Sequence, residues 1–147
     1  MRKVVCLVAM TIFVVSAFVV SARAETVIET IQNFGMMGIW ATDCADMIAS
    51  KPRFFRAILS QAGAEVGYTT LSNDVGIKTT VRSVVRATER IPPNRLKFTF
   101  RIVGGDRDGM PLPSPPTNTF EQTFEKRAGD VMEMAGNPPI FLQRCRD

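Results

Sequence analysis

Residues 95–102 alternate strictly, with Leu96, Phe98, Phe100 and Ile102 on one side and Arg95, Lys97, Thr99 and Arg101 on the other. A period of two is that of a half-buried antiparallel strand. Just upstream, 79–91 alternates Val81, Ser83, Val85 and Ala87 with Arg82, Val84, Arg86 and Thr88, and Pro92-Pro93-Asn94 separates the two runs. Proline cannot donate to a ladder, so this punctuation predicts a hairpin. An earlier hairpin is predicted from 53–60 and 64–71 around Gln61-Ala62-Gly63, with a further turn over 72–76. Downstream, 119–126 sets Phe120 and Phe124 against Glu121 and Glu125, Ala128-Gly129-Asp130 turns into 131–135, and Gly136-Asn137-Pro138-Pro139 leads to 140–144. A helical period occurs at 26–34, where Val27, Ile28, Ile31 and Phe34 share a face and Gly35 supplies the stop.

With a short strand at 38–42, the pattern predicts about eight strands in sequence order, joined mostly by tight turns. That organisation is an all-β, eight-stranded, antiparallel up-and-down barrel behind a short N-terminal helix. A two-sheet sandwich fits less well, because it needs long crossovers. The long connection, 104–117, holds four Pro and three Gly and is expected to be an irregular flap or rim loop.

Composition changes the picture in two ways. The chain has 147 residues and a formal net charge of +4. Residues 1–24 carry Arg2, Lys3 and Arg23 and no acid, so the remainder has 15 basic against 14 acidic side chains and is nearly neutral. The same segment has a basic start, an apolar run over 4–20 and Ala22-Arg23-Ala24, the pattern of an export signal cleaved after Ala24. The alternative is an uncleaved anchor, for which a stretch of 17 residues, interrupted by Thr11 and Ser16, is at the lower limit. The expected mature chain, 25–147, is a single domain in the periplasm or outside the cell. Cys6 leaves with the leader, and the remaining Cys44 and Cys145 are expected to pair in an oxidising compartment. Their spacing fits neither a redox Cys-x-x-Cys motif nor a zinc knuckle. The second change is the absence of histidine, which removes Ser-His-Asp and Cys-His nucleophile activation and His-ligated zinc.

At Gly38-Ile39-Trp40, directly after the helix, the chain resembles the lipocalin and calycin pattern of a Gly-x-Trp first strand opening a barrel. Gly38-Ile39-Trp40-Ala41-Thr42-Asp43-Cys44 together with Gln143-Arg144-Cys145 resembles a group of small exported proteobacterial proteins of mostly unassigned function. The resemblance implies that Trp40 packs across the closed barrel end with Arg144 over its ring, a cation–π contact. The chain is shorter than most lipocalins and matches none of their later motifs.

Candidate chemistry is sparse. Tyr68, Phe98, Phe100, Phe120 and Phe124, with Val81, Val85 and Met132 or Met134, are candidates to line an apolar cavity, or else they form a closed core. Ser83 and Gln122 fall among them and need hydrogen-bond partners if buried. Arg82, Arg86, Arg95, Lys97 and Arg101 make one outer face basic, with Glu121 and Glu125 beside it. The basic face has no interleaved aromatic residues, so nucleic acid is not an expected partner. Asp106-Arg107-Asp108-Gly109 lacks the further oxygens and closing Glu of a calcium loop, and Asp43 and Asp46 flank Cys44 without forming an acid–base pair. No metal, cofactor or catalytic residue is expected. The leading expectation is a noncatalytic exported barrel that binds a small apolar or amphipathic ligand, with membrane contact only through the leader. The alternative is a protein-binding module, such as an inhibitor of an exported hydrolase or a cell-envelope factor.

Overall fold

The structure is a computed structural model that describes residues 24–45, 54–113 and 118–146. The expected leader, apart from Ala24, lies outside the described residues, as do Asp46 and the last four residues, 114–117, of the long connection. The elements are α1 (Val27–Phe34), β1 (Gly38–Ala41), β2 (Phe54–Ala62), β3 (Glu65–Asp74), β4 (Ile77–Ile91), β5 (Arg95–Arg107), β6 (Met110–Pro111), β7 (Thr119–Arg127), β8 (Val131–Met134) and β9 (Ile140–Cys145). Eight of these strands run β4-β3-β2-β1-β9-β8-β7-β5 and close through β4–β5 pairing into an antiparallel barrel, with β6 folded back on the end of β5. Neighbours in sequence are neighbours in space, apart from the short β6 excursion and the seam where β9 returns to β1.

The helix forms where its sequence permits and is held by what it buries. Thr26 caps it: its hydroxyl accepts from the Glu29 amide at 3.2 Å, and the Glu29 carboxylate accepts from the Thr26 amide at 2.8 Å. Gly35 ends it in the left-handed region at φ 80°. Eight residues make a marginal helix alone, so burial of Ile31 and Phe34 against the barrel, at about 1.5–3 kcal/mol each, keeps it docked. Glu25 adds a tether, its carboxylate accepting from the Arg90 guanidinium (two contacts at 3.2 Å) and the Asn33 amide at 2.6 Å. Those partners, Arg90 first, hold the Glu25 carboxyl below the ordinary carboxylate range. The tether is therefore in place above the ordinary carboxylate pKa and is lost as pH falls through the lowered one.

Inside the barrel, Leu59, Val66, Tyr68, Val85, Leu96, Phe98, Phe100, Phe124, Met132 and Leu142 form one buried cluster with Trp40 and the helix face. A second, smaller cluster lies on the opposite side of β1 and β2, where buried Ala41 and Phe54 pack with half-buried Leu71 and Cys145.

Four details differ from the sequence reading. First, the 104–117 connection is not irregular throughout: β5 continues to Arg107, turns at Asp108-Gly109 and returns as β6. Val103 is bulged out between the Ser83↔Ile102 and Arg82↔Gly104 pairs, which turns Gly105 inward. A Cβ on Gly105 would sit 2.4 Å from the Thr80 carbonyl oxygen and 3.0 Å from Leu112, so only glycine lets the flap lie this close. Second, Arg86 is bulged between Val85↔Phe100 and Ala87↔Thr99, so Ala87 leaves the Val81-Ser83-Val85 face and Thr88 takes the place opposite Phe98. Third, the first hairpin turns at Gly63-Ala64 instead of around Gln61-Ala62-Gly63, because the Gln61↔Val66 and Ala62↔Glu65 pairs carry the ladder further.

Fourth, β3 runs to Asp74, because Phe54↔Asn73 pairing with β2 extends it, and the turn is pushed to Val75-Gly76. Val75 has φ 47° and is 81% exposed. A β-branched residue there is strained and recovers no burial. Both turn residues have positive φ, the geometry that favours Asn-Gly. Val75→Asn is therefore expected to stabilise the protein by about 1 kcal/mol, read as a rise in urea midpoint with an unchanged slope. A fall in the midpoint would contradict this account of the turn.

Candidate functional site

The aromatic candidates meet in the middle of the barrel. Tyr68 stacks on Phe100 with ring centroids 4.2 Å apart, Phe98 stacks on Phe100 at 5.3 Å, and Phe124 meets Phe98 edge-on at 5.4 Å. All four are buried, whereas Phe120, stacked on Phe100 at 5.0 Å, is only half-buried. The strand registers explain the meeting: Phe100 lies opposite Val85 on β4 and Phe120 on β7, and Tyr68 lies opposite Leu59 and Ser83. These rings therefore form a packed core layer. Burial raises the Tyr68 phenol well above its ordinary pKa, so it remains a neutral hydrogen-bond donor at physiological pH.

Gln122, in register with Phe98, is half-buried, and its amide donates to the Ala135 carbonyl at 2.7 Å. It closes the sheet past the end of β8. Ser83 is different. Its side chain is among the buried polar groups at 3% exposure, and its Oγ has no hydrogen-bond partner among the described residues.

The two barrel ends are unlike. At one end α1, the β2–β3 turn and the β4–β5 turn come together, with Gln32 reaching Gln61 and Arg90 reaching Glu25. Trp40 seals the core near this end: its indole N–H donates to the Met36 carbonyl at 3.0 Å. The Arg144 guanidinium lies 5.7 Å from the Trp40 ring centre and donates to the Met37 carbonyl at 3.3 Å. β1 and β9 place these two residues directly opposite each other. Cys44 folds back over the outside of the sheet to bond Cys145, with Cα atoms 5.4 Å apart. Such a bond fits an oxidising, non-cytoplasmic environment.

The other end carries two clefts. One, of about 320 Å³, lies between the inward-facing Val81 and Ile102 and the flap residues Leu112 and Pro113, with Gly104 and Asn118 at its margin. Its walls are mostly apolar, and the Leu112 amide donates to the Gly105 carbonyl at 3.0 Å, fixing the flap above it. The other, of about 500 Å³, has Phe54, Phe55, Pro138 and Ile140 as apolar walls and Ser72, Asn73, Asp74 and Asn137 as polar ones. Sequence reasoning singled out none of Phe55, Leu112, Pro138 and Ile140 as site residues. The flap was legible only as a Pro- and Gly-rich run, and the others join the mouth through the closure of the sheet.

No family model, curated protein or solved structure matches this chain. The likeness to lipocalins thus stands on architecture: an eight-stranded antiparallel barrel with a disulfide between Cys44 and Cys145.

The basic outer face is offset at two of its five positions, Lys97 and Arg86. Lys97 lies 2.7 Å from Glu89 and 3.7 Å from Glu121, which keep it protonated above its ordinary range, and Arg86 lies 3.3 Å from Glu65. Exposed, solvent-screened pairs of this kind add little stability.

Proposed function

We propose that this chain is a noncatalytic, lipocalin-like barrel, exported to the periplasm or beyond, that binds a small apolar or amphipathic molecule at the end of the barrel opposite α1. The observation that carries the reading is the cleft under the flap, an apolar recess against inward-facing Val81 and Ile102 that begins where the packed aromatic layer ends. Its size, and that of the neighbouring 500 Å³ cleft, are in the range of small-molecule sites, which combine apolar walls with a few polar groups. The ligand would sit above Tyr68, Phe98, Phe100 and Phe124, which form the floor of the barrel rather than its lining. A protein-binding module built on a projecting N-terminal arm is disfavoured, because Val27–Phe34 is docked on the barrel through Ile31 and Phe34.

The test is a fluorescence titration with N-phenyl-1-naphthylamine, a neutral apolar probe that brightens when it leaves water. Saturable 1:1 binding is expected to the wild type. Leu112→Asp puts a charge into the roof of the cleft while retaining the backbone bond to Gly105, and is expected to weaken binding at least about tenfold through the cost of burying that charge, with little change in melting temperature. Absence of saturable binding, or equal binding by the variant, would overturn the reading.

A further inference from the structure

Ser83 is placed where an aliphatic residue would serve the fold better. It lies between Val81 and Val85 on the inward face of β4, opposite Tyr68 on β3 and Ile102 on β5. At 3% exposure its hydroxyl is cut off from bulk water and makes no hydrogen bond among the described residues. An unmade hydrogen bond in an apolar core is destabilising, and alanine or valine at this position would remove the defect. Gln122, the other polar residue in the interior set, is answered by the Ala135 carbonyl. Ser83 is not.

The position of the orphan gives it a use. Val81, two residues before Ser83 on the same face, and Ile102, its cross-strand partner, are the inner walls of the cleft beneath Leu112 and Pro113. Neighbouring side chains on one face of a sheet are about 4.5–7 Å apart, so a molecule seated against Val81 and Ile102 has one end within reach of Ser83 Oγ. We propose that Ser83 is the hydrogen-bonding handle of the binding site and selects a small uncharged molecule that carries a hydroxyl or carbonyl at the end of an apolar body.

This inference rests on the ligand-binding reading above and adds to it the chemistry of the ligand. A serine hydroxyl both donates and accepts, so alcohols and carbonyl compounds both satisfy it. An ionised end is selected against, because the wall residues nearest Ser83 are Val81, Val85, Tyr68 and Ile102, and a carboxylate buried among them has no counter-charge. Arg82, the adjacent cation in sequence, packs over Gly104 on the other side of the sheet. A site with an unpaired polar group discriminates against ligands that lack the matching group, because leaving the pair unmade is unfavourable in the complex as well.

The experiment uses three molecules sharing one ring system: naphthalene, 2-naphthol and 2-naphthoate. The disulfide-intact wild type is expected to bind 2-naphthol about tenfold more tightly than naphthalene, and 2-naphthoate no more tightly than naphthalene. Ser83→Ala is expected to bring 2-naphthol down to the affinity of naphthalene while leaving naphthalene itself within about twofold. Its ligand-free melting temperature should rise by about 4 °C or more, since the orphan hydroxyl has gone. Ser83→Thr, which keeps the hydroxyl, should restore the preference. If wild type and Ser83→Ala bind both neutral compounds equally, the handle is overturned while the ligand-binding reading survives. If no naphthalene derivative binds to the wild type, both fall together. A preference for 2-naphthoate would also overturn the proposal, since it would require a cation at the site.

Discussion

Phe100→Ala is expected to lower the stability by about 3–5 kcal/mol, the range for deleting a large buried aromatic side chain. Phe100 is fully buried and stacks on three rings, Tyr68, Phe98 and Phe120, so its loss removes apolar burial and ring contacts together. The neighbours cannot close the gap without breaking register, because Phe100 is hydrogen-bonded into β4 on one side and β7 on the other. For a domain of this size the loss amounts to a fall in melting temperature of about 10–20 °C. Phe141→Ala is the matched control. That ring points outward from β9 and is 54% exposed, so its removal should change stability by no more than about 0.5 kcal/mol. Similar losses for the two phenylalanines would mean that the interior is not packed as described.

Removing both Cys44 and Cys145 as a Cys44→Ala, Cys145→Ala pair is expected to cost about 2–4 kcal/mol without leaving a reactive thiol. The bond closes a sequence separation of 101 residues, and the chain-entropy model gives an upper figure of about 4.7 kcal/mol for a loop of that length. Its place in the barrel adds to its weight. The β1–β9 seam, at which the first strand meets the last, has only three paired positions, Ile39↔Cys145, Trp40↔Arg144 and Ala41↔Gln143. The β4–β5 closure is far longer. The disulfide therefore holds the shortest seam that joins distant parts of the chain, and the double variant should show a lower urea midpoint together with early loss of protection at the β9 amides in hydrogen exchange. A loss below about 1 kcal/mol would show that the Trp40 and Arg144 contacts close this seam unaided.

Legibility varied along the chain for physical reasons. The strand 95–102 was plain because one face meets the core and the other water, so every residue reports its side. The helix was equally plain, since its cap, its apolar stripe and its terminal glycine all act within ten residues. Pairing of Cys44 with Cys145 followed from number and compartment, with no knowledge of geometry. Ala87 was misplaced because a bulge adds one residue to one strand only, and alternation read along a single strand cannot detect that. The β3 turn was set too early because Ser72, Asn73 and Asp74 have turn chemistry; pairing with β2 overrode it.

The candidate site divides in the same way. The inward residues Tyr68, Ser83, Phe98, Phe100, Phe120 and Phe124 could be collected from strand alternation, because facing inward is a local property in a barrel. Whether they line a space or fill it depends on rings contributed by β3, β5 and β7, which lie up to 56 positions apart. No local pattern carries that distance. The mouth was hidden for the same reason, since Val81, Ile102 and Leu112 become one surface only after β4 and β5 pair and the flap folds over them. From sequence alone came the strand count, the antiparallel all-β organisation, the cysteine pairing and the lack of histidine chemistry, since each follows from residue type and short-range spacing. The closure of the sheet, the packed centre, the apolar mouth and the Ser83 hydroxyl left without a partner among the described residues were decided by tertiary structure, because they arise from how distant strands share one enclosed volume.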